Sequence, residues 1–192
     1  MPIFIQLTNQ WKREPEIALR MLIPTVLAVS LGGYANVIPY NLEFTGEPFD
    51  ELYIRHLQAT AFMPRMSIAS TQWDVTPKCR EETAKYILLN AKYADVFAKL
   101  ALERIKTGRP IIRPLWYAEP DNNVTYDISD QYMLGDEFVV APVLIQGQRE
   151  RSVYLPAGTF VDSIGQIFEG PNWFKLQAPL DTLLYFRRTN KQ

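Results

Sequence analysis

The chain of 192 residues holds one histidine, His56, and one cysteine, Cys79, and these two bound the chemistry open to it. A Ser-His-Asp or Cys-His nucleophile would have to be served by His56, in Leu52-Tyr53-Ile54-Arg55-His56-Leu57-Gln58. That stretch reads as helical and puts the imidazole on a helix surface. One cysteine with one histidine makes neither a CxxC nor a Cys/His zinc site, and it closes no internal disulfide. Neither a metal nor an organic cofactor is implied. The other groups with reach are loop residues. Glu43 and Asp74 read as solvated charges, while Trp11, Tyr40 and Trp73 fall on loops that follow expected strands. Asn123-Val124-Thr125 is an N-glycosylation sequon on the expected loop 119–127.

Charge excludes further classes. Lysine and arginine number 20 against 21 acidic residues, a net charge of -1, so no basic field exists to hold nucleic acid or an anionic membrane. The segment from Met21 to Asn41 is uncharged and as long as a membrane span, but Pro24, the Gly32-Gly33 pair and Pro39 punctuate it. It reads as a buried helix followed by a buried strand. Met1-Pro2-Ile3-Phe4 does not open a signal peptide.

The elements that must position these residues fall into two regimes. Ile3 to Leu7 is a short apolar strand, and Glu14-Pro15-Glu16 opens a helix with proline early and acids in its first turn. That helix bends at Pro24 and stops at Gly32-Gly33, and Ala35 to Pro39 forms the next strand. A second helix runs from Asp50 to about Ala61, Met63 to Ser70 reads as a strand, and Arg80 to Lys106 reads as one long amphipathic helix. Beyond Gly108-Arg109-Pro110 the pattern changes to short β-branched and aromatic runs: 111–117, 131–144, 152–155, 159–161, 166–168, 173–176 and 182–187. Residues 1–107 therefore read as α/β and residues 108–192 as an antiparallel β-sandwich.

Two stretches are more particular than pattern. Glu51-Leu52-Tyr53-Ile54-Arg55-His56-Leu57-Gln58-Ala59-Thr60-Ala61-Phe62-Met63-Pro64 resembles the ELYxRWxQxxAFxP segment of glycoside hydrolase family 31. Arg109-Pro110-Ile111-Ile112-Arg113-Pro114-Leu115-Trp116 resembles the family's PVxRPLxx, and residues 128–144 and 153–158 resemble its DxQFMLGxxLLVAPVL and VYLPxG in the same order and spacing. Phe62-Met63-Pro64 through Trp73, without the RxH usual after that proline, is most similar to one branch of the family.

The resemblance implies the C-terminal part of a (β/α)8 TIM barrel, residues 1–107, followed by a proximal antiparallel β-sandwich, residues 108–192. A complete barrel takes about 250 residues, so this chain is expected to be a C-terminal portion whose partner is the remainder of the barrel upstream. The implied reaction is hydrolysis of O-glycosidic bonds with retention, by two carboxyl groups ~5–5.5 Å apart, on a carbohydrate (α-glycoside) substrate. The family's nucleophile aspartate belongs to an earlier strand. Its acid/base aspartate corresponds to Glu16, a residue equally well read as a first-turn helix acid. The sugar-facing aspartate after the next strand corresponds to Tyr40. Trp11, Tyr40 and Trp73 are the implied substrate contacts, since aromatic faces suit the apolar side of a sugar ring. The altered acids keep open an alternative, a catalytically inactive member that binds a glycan or a protein. The family also implies residence in the secretory pathway, in an endoplasmic reticulum or lysosome-like lumen.

Overall fold

A computed structural model describes residues 4–11, 13–34, 36–41, 50–66, 68 and 75–189. The chain begins with β1 (Phe4–Gln6), α1 (Pro15–Leu31) and β2 (Asn36–Ile38). The two strands pair in parallel, from Phe4 opposite Asn36 to Gln6 opposite Ile38, with α1 as the crossover between them. Ala18, Leu19, Leu22, Ile23, Val26 and Leu27 line the buried face of α1 at helical spacing. Pro15 opens the helix, where a missing N–H costs nothing, and Gly33, at φ 103°, turns the chain out of it.

Next come α2 (Asp50–Thr60), α3 (Pro77–Lys92) and α4 (Ala94–Thr107). The single helix expected over Arg80 to Lys106 is two. Tyr93 leaves helical geometry at φ -105°, ψ 18°, as its ring packs 5.1 Å from Phe62 and 5.0 Å from Phe138. No strand forms at residues 63–66 or at 68; the rest of the strand expected over Met63 to Ser70 lies outside the described residues.

Beyond Gly108 the chain is antiparallel: β3 (Ile112–Arg113), β4 (Tyr132–Leu134), β5 (Phe138–Ala141), β6 (Glu150–Asp162), β7 (Ile167–Gln177) and β8 (Leu184–Arg188). Four of the short runs read from sequence merge into the two long strands β6 and β7, and only Ile112–Arg113 of the run 111–117 is strand. The six strands bond into one sheet, β3-β4-β5-β8-β6-β7, where two separate sheets were expected. This sheet covers two cores. Tyr132, Leu134, Phe138 and Val140 face the helices, while the alternate residues Met133, Val139 and Ala141 pack with Val153, Leu155, Phe160, Phe168 and Phe186. The second cluster draws on both halves of the sheet, which curls over itself. The curl is possible because β8 bonds only the last residues of β6, 160–162, leaving 150–155 free to swing away with β7. A bulge between Leu155 and Gly158 aids the bend, and Gly170 lies so close that a Cβ there would sit 2.0 Å from the Pro156 carbonyl.

Helices and sheet are joined at α2, where every residue from Leu52 to Thr60 is buried. The Arg55 guanidinium is fully buried; it donates to Gln58 Oε1 (2.9 Å) and to the carbonyls of Gln148 (2.9 Å), Ala178 (2.9 Å) and Pro179 (3.4 Å). Gln58 donates onward to Leu180 O (2.7 Å) and the Tyr86 hydroxyl (2.9 Å). Burial pulls the Arg55 pKa down to about 10, with Glu51 opposing, so the group stays charged at neutral pH. Arg55→Met leaves these carbonyls buried without a donor, and it is expected to lower stability by about 3–5 kcal/mol. Urea unfolding measures this, and a midpoint equal to wild type would show that the grip contributes nothing.

Candidate functional site

Parallel strands with a helical crossover place functional groups beyond their C-terminal ends, so the segments after β1 and β2 are the first place to look. The Leu7 N–H donates to Ile38 O at 2.9 Å and continues the ladder past β1. Asn9 then holds the mouth together. Its Oδ1 accepts from the Trp11 N–H at 2.9 Å, an Asx turn, and its Nδ2 donates to Asn41 O at 3.2 Å, tying the loop after β1 to the loop after β2. The Glu14 N–H closes onto Trp11 O at 2.9 Å, and α1 begins.

Trp11 is half-buried, its ring 6.4 Å from that of Tyr40 and tilted by 53°. Tyr40, expected as a sugar contact, is 1% exposed. Its hydroxyl donates to Ala18 O at 2.5 Å, bracing the first turn of α1, and burial raises its pKa. Glu16 is exposed in that same turn. The structure therefore brings Trp11, Glu16 and Tyr40 to one end of the β1–β2 pair, with Glu16 exposed, Trp11 half-buried and Tyr40 buried. Trp73, Glu43 and Asp74 lie outside the described residues.

His56 is not on a helix surface. It is 3% exposed, because α2 is covered on the side where an isolated helix would meet water. Its Nε2 lies 3.0 Å from Tyr40 O, and since a carbonyl only accepts, Nε2 carries the proton. Burial lowers the pKa to about 4 despite the help of that bond, so the ring is neutral near pH 7. It holds the strand end through the Tyr40 carbonyl. Sequence offered no sign of this pairing, since sixteen residues of chain separate the partners; the Asn9 turn was legible in principle, as asparagine two residues before a bonded N–H. Cys79 is buried as well, 3.8 Å from Asp50 O, and burial raises its thiol to about 11, which leaves it an unreactive core residue.

Elsewhere, a cleft of about 440 Å³ between α4 and the sheet is lined by Glu103, Arg109, Asp136 and Arg188. Its charges are already paired: Glu103 and Asp136 each accept from Arg109 and Arg113. Burial alone would raise the Asp136 carboxyl, but Arg113 and Arg109 outweigh it and hold the group below its ordinary value. Among the described residues no three His, Cys, Asp or Glu side chains converge as a metal site, and no helix is long and apolar enough to cross a membrane.

Residues 108–191 match the Glycosyl hydrolase family 31 C-terminal domain. The chain is 36% identical over 186 residues to the myogenesis-regulating glycosidase of Mus musculus, with 89% of this chain and 26% of that protein aligned. It is 30% identical to the SITS-binding protein of Tetronarce californica, with 88% of this chain and 26% of that protein aligned. The chain thus spans about a quarter of the length of these relatives. Among solved structures, it superposes on a family 31 dextranase of Flavobacterium johnsoniae complexed with glucose at a TM-score of 0.82 and 27% identity, over 90% of this chain and 23% of that one. A family 31 α-xylosidase from a soil metagenome, complexed with xylose, gives 0.78 and 25% over 86% of this chain and 29% of that one.

The buried His56 has a consequence for stability. Its folded pKa, about 4, lies below the 6.5 of an exposed histidine, so between those values the unfolded chain binds the extra proton. Stability is complete above pH 7 and falls as the solution is acidified. From pH 7 to pH 5 the loss expected from this residue is about 2 kcal/mol. Comparing urea midpoints at the two pH values in wild type and His56→Gln measures it. The variant is expected to show the smaller drop, and equal drops would remove His56 as the cause.

Proposed function

This chain belongs to glycoside hydrolase family 31, and from that premise we propose that it is the C-terminal portion of a retaining α-glycosidase. In this reading residues 1–107 are the closing units of a (β/α)8 barrel, and residues 108–192 are the proximal sandwich-type domain behind it. One observation carries the reading: the parallel β1–β2 pair presents a half-buried tryptophan and an exposed carboxylate, Trp11 and Glu16, beyond the C-terminal ends of its strands. The relatives with sugars bound, the dextranase with glucose and the α-xylosidase with xylose, support a carbohydrate as ligand.

Glu16 then serves as acid/base. It gives a proton to the departing glycosidic oxygen and afterwards takes one from the water that releases the glycosyl group. The nucleophile comes from the upstream part of the barrel. Trp11 offers its face to the apolar side of the sugar, joined by Trp73 from outside the described residues. Tyr40 works one layer back, seating Trp11 with its ring and the start of α1 with its hydroxyl. The protein works in the lumen of the secretory pathway.

A second reading, a member that binds a glycan or a protein without turning it over, is favoured by Tyr40, a buried phenol where the family has a sugar-facing aspartate. Assays of the full-length polypeptide that carries these residues separate the two. If Glu16 is the acid/base, Glu16→Gln is expected to lower kcat/KM for an unactivated α-glycoside by ~100-fold or more, and much less for a substrate with a good leaving group. An unchanged rate would move the proton donor elsewhere. Absence of turnover in wild type, with sugar binding that Trp11→Ala abolishes, would establish the second reading.

A further inference from the structure

Asn123-Val124-Thr125 is the one Asn-X-Ser/Thr triplet in the sequence. It lies in a tight turn, a 3-10 segment over Asn123–Thr125, on a loop held from beneath. Glu119 does most of the holding: its carboxylate accepts from the Tyr154 hydroxyl (2.7 Å), from Asn122 Nδ2 (2.8 Å) and from the Ala157 N–H. The two neighbouring asparagines are used in opposite ways. Asn122 is fully engaged, donating to Glu119 and to Tyr154 (2.7 Å) and accepting from the Val124 N–H at 3.1 Å. Asn123 is exposed, and its side-chain amide bonds to no described residue.

We propose that Asn123 carries an N-linked oligosaccharide, an inference that rests on the lumenal part of the proposed function and on no part of its chemistry. The donor is an oligosaccharide linked through its anomeric carbon to a polyprenyl diphosphate. The Asn123 amide nitrogen bonds to that carbon and gives up one proton, while the carbon–oxygen bond breaks and the polyprenyl diphosphate leaves with its electron pair. No oxidant or reductant takes part.

The fold supplies both the timing and the seat. Thr125, whose hydroxyl completes the sequon, is fully buried, with Oγ1 donating to Asn122 O at 2.7 Å. Transfer therefore precedes closure of this turn, while the triplet is still extended. Once the turn closes, Asn123 stays exposed above the bonded Glu119–Asn122 support, so a glycan displaces no side-chain hydrogen bond to a described residue. Beside it Val124 is 47% and Tyr126 54% exposed, an apolar and aromatic surface of the kind that the non-polar faces of sugars cover.

The test uses the full-length polypeptide made in a eukaryotic cell, with an appended tag that carries its own Asn-Gly-Thr triplet as a control for entry into the lumen. Wild type is expected to carry one glycan more than Asn123→Gln, seen as a step in gel mobility that peptide-N-glycosidase removes, leaving aspartate at position 123 in the peptide mass spectrum. Thr125→Ser keeps the hydroxyl and is expected to keep the glycan. The Asn123→Gln protein is expected to fold, and to unfold in urea near the wild-type midpoint, as the amide bonds to no described residue. A glycosylated tag with an unmodified Asn123 would overturn the proposal. An unmodified tag as well would overturn it together with the lumenal assignment, while leaving the glycosidase reading to its own assay.

Discussion

A guanidinium cannot be buried unless acceptors meet it, and Arg55 is buried completely. Besides Gln58 on its own helix, its acceptors come from two loops far along the chain that join strands of the antiparallel sheet, Gln148 on one and Ala178 and Pro179 on the other. Meeting its Nη1 and Nη2 donors therefore brings the sheet against α2. Gln58 adds bonds to Leu180 and Tyr86, and Glu51 reaches the Gly147 N–H at 3.0 Å and Arg149. Once the joint is made, α2 has no free face. The apolar residues of β4 and β5 on that side, among them Tyr132 and Phe138, complete the core shared with α1 and α3.

The same helix carries the constraint to the strand ends. His56, one residue after Arg55, holds the carbonyl of Tyr40, and the Tyr40 hydroxyl holds the carbonyl of Ala18 at the start of α1. A short relay of packed, bonded groups thus runs from the sheet to the turn that presents Glu16. On the other flank a four-charge cluster, Glu103, Arg109, Arg113 and Asp136, ties α4 to the strands. Each carboxylate there has two guanidinium partners, which makes the cluster worth more than an isolated surface pair.

These joints explain which residues carry the family resemblance. Glu51, Arg55 and Gln58 of the first stretch are the grip just described, and Phe62 packs between Phe138 and Tyr185. Of the later stretches, Arg109, Arg113 and Asp136 belong to the charge cluster. Gln131 is bonded both ways to Tyr154, and Gly135 takes a positive φ of 55° where a Cβ would come 2.6 Å from a Leu100 methyl. The recognisable motifs are thus the fastenings between helices and sheet. They identify the family and say nothing of turnover, because their work is to hold the helices against the sheet.

Local signals determined much by themselves. The proline and acids at the start of α1, the glycines after it and the change of regime at Gly108 were legible because each acts over a few residues, through backbone geometry that the side chain itself imposes. The joining of short runs into β6 and β7 was not, since the bulge at 155–158 depends on the close approach of Gly170 from the facing strand. Nor was the break at Tyr93, which packing on Phe62 and Phe138 dictates. At the candidate site the sequence placed Trp11, Glu16 and Tyr40 on the right segments, because strand ends are short-range features. That Tyr40 is buried while Glu16 is open, and that His56 is a neutral core residue, only tertiary structure decided: burial is set by what the rest of the chain lays over a residue, and no local pattern of residues records that.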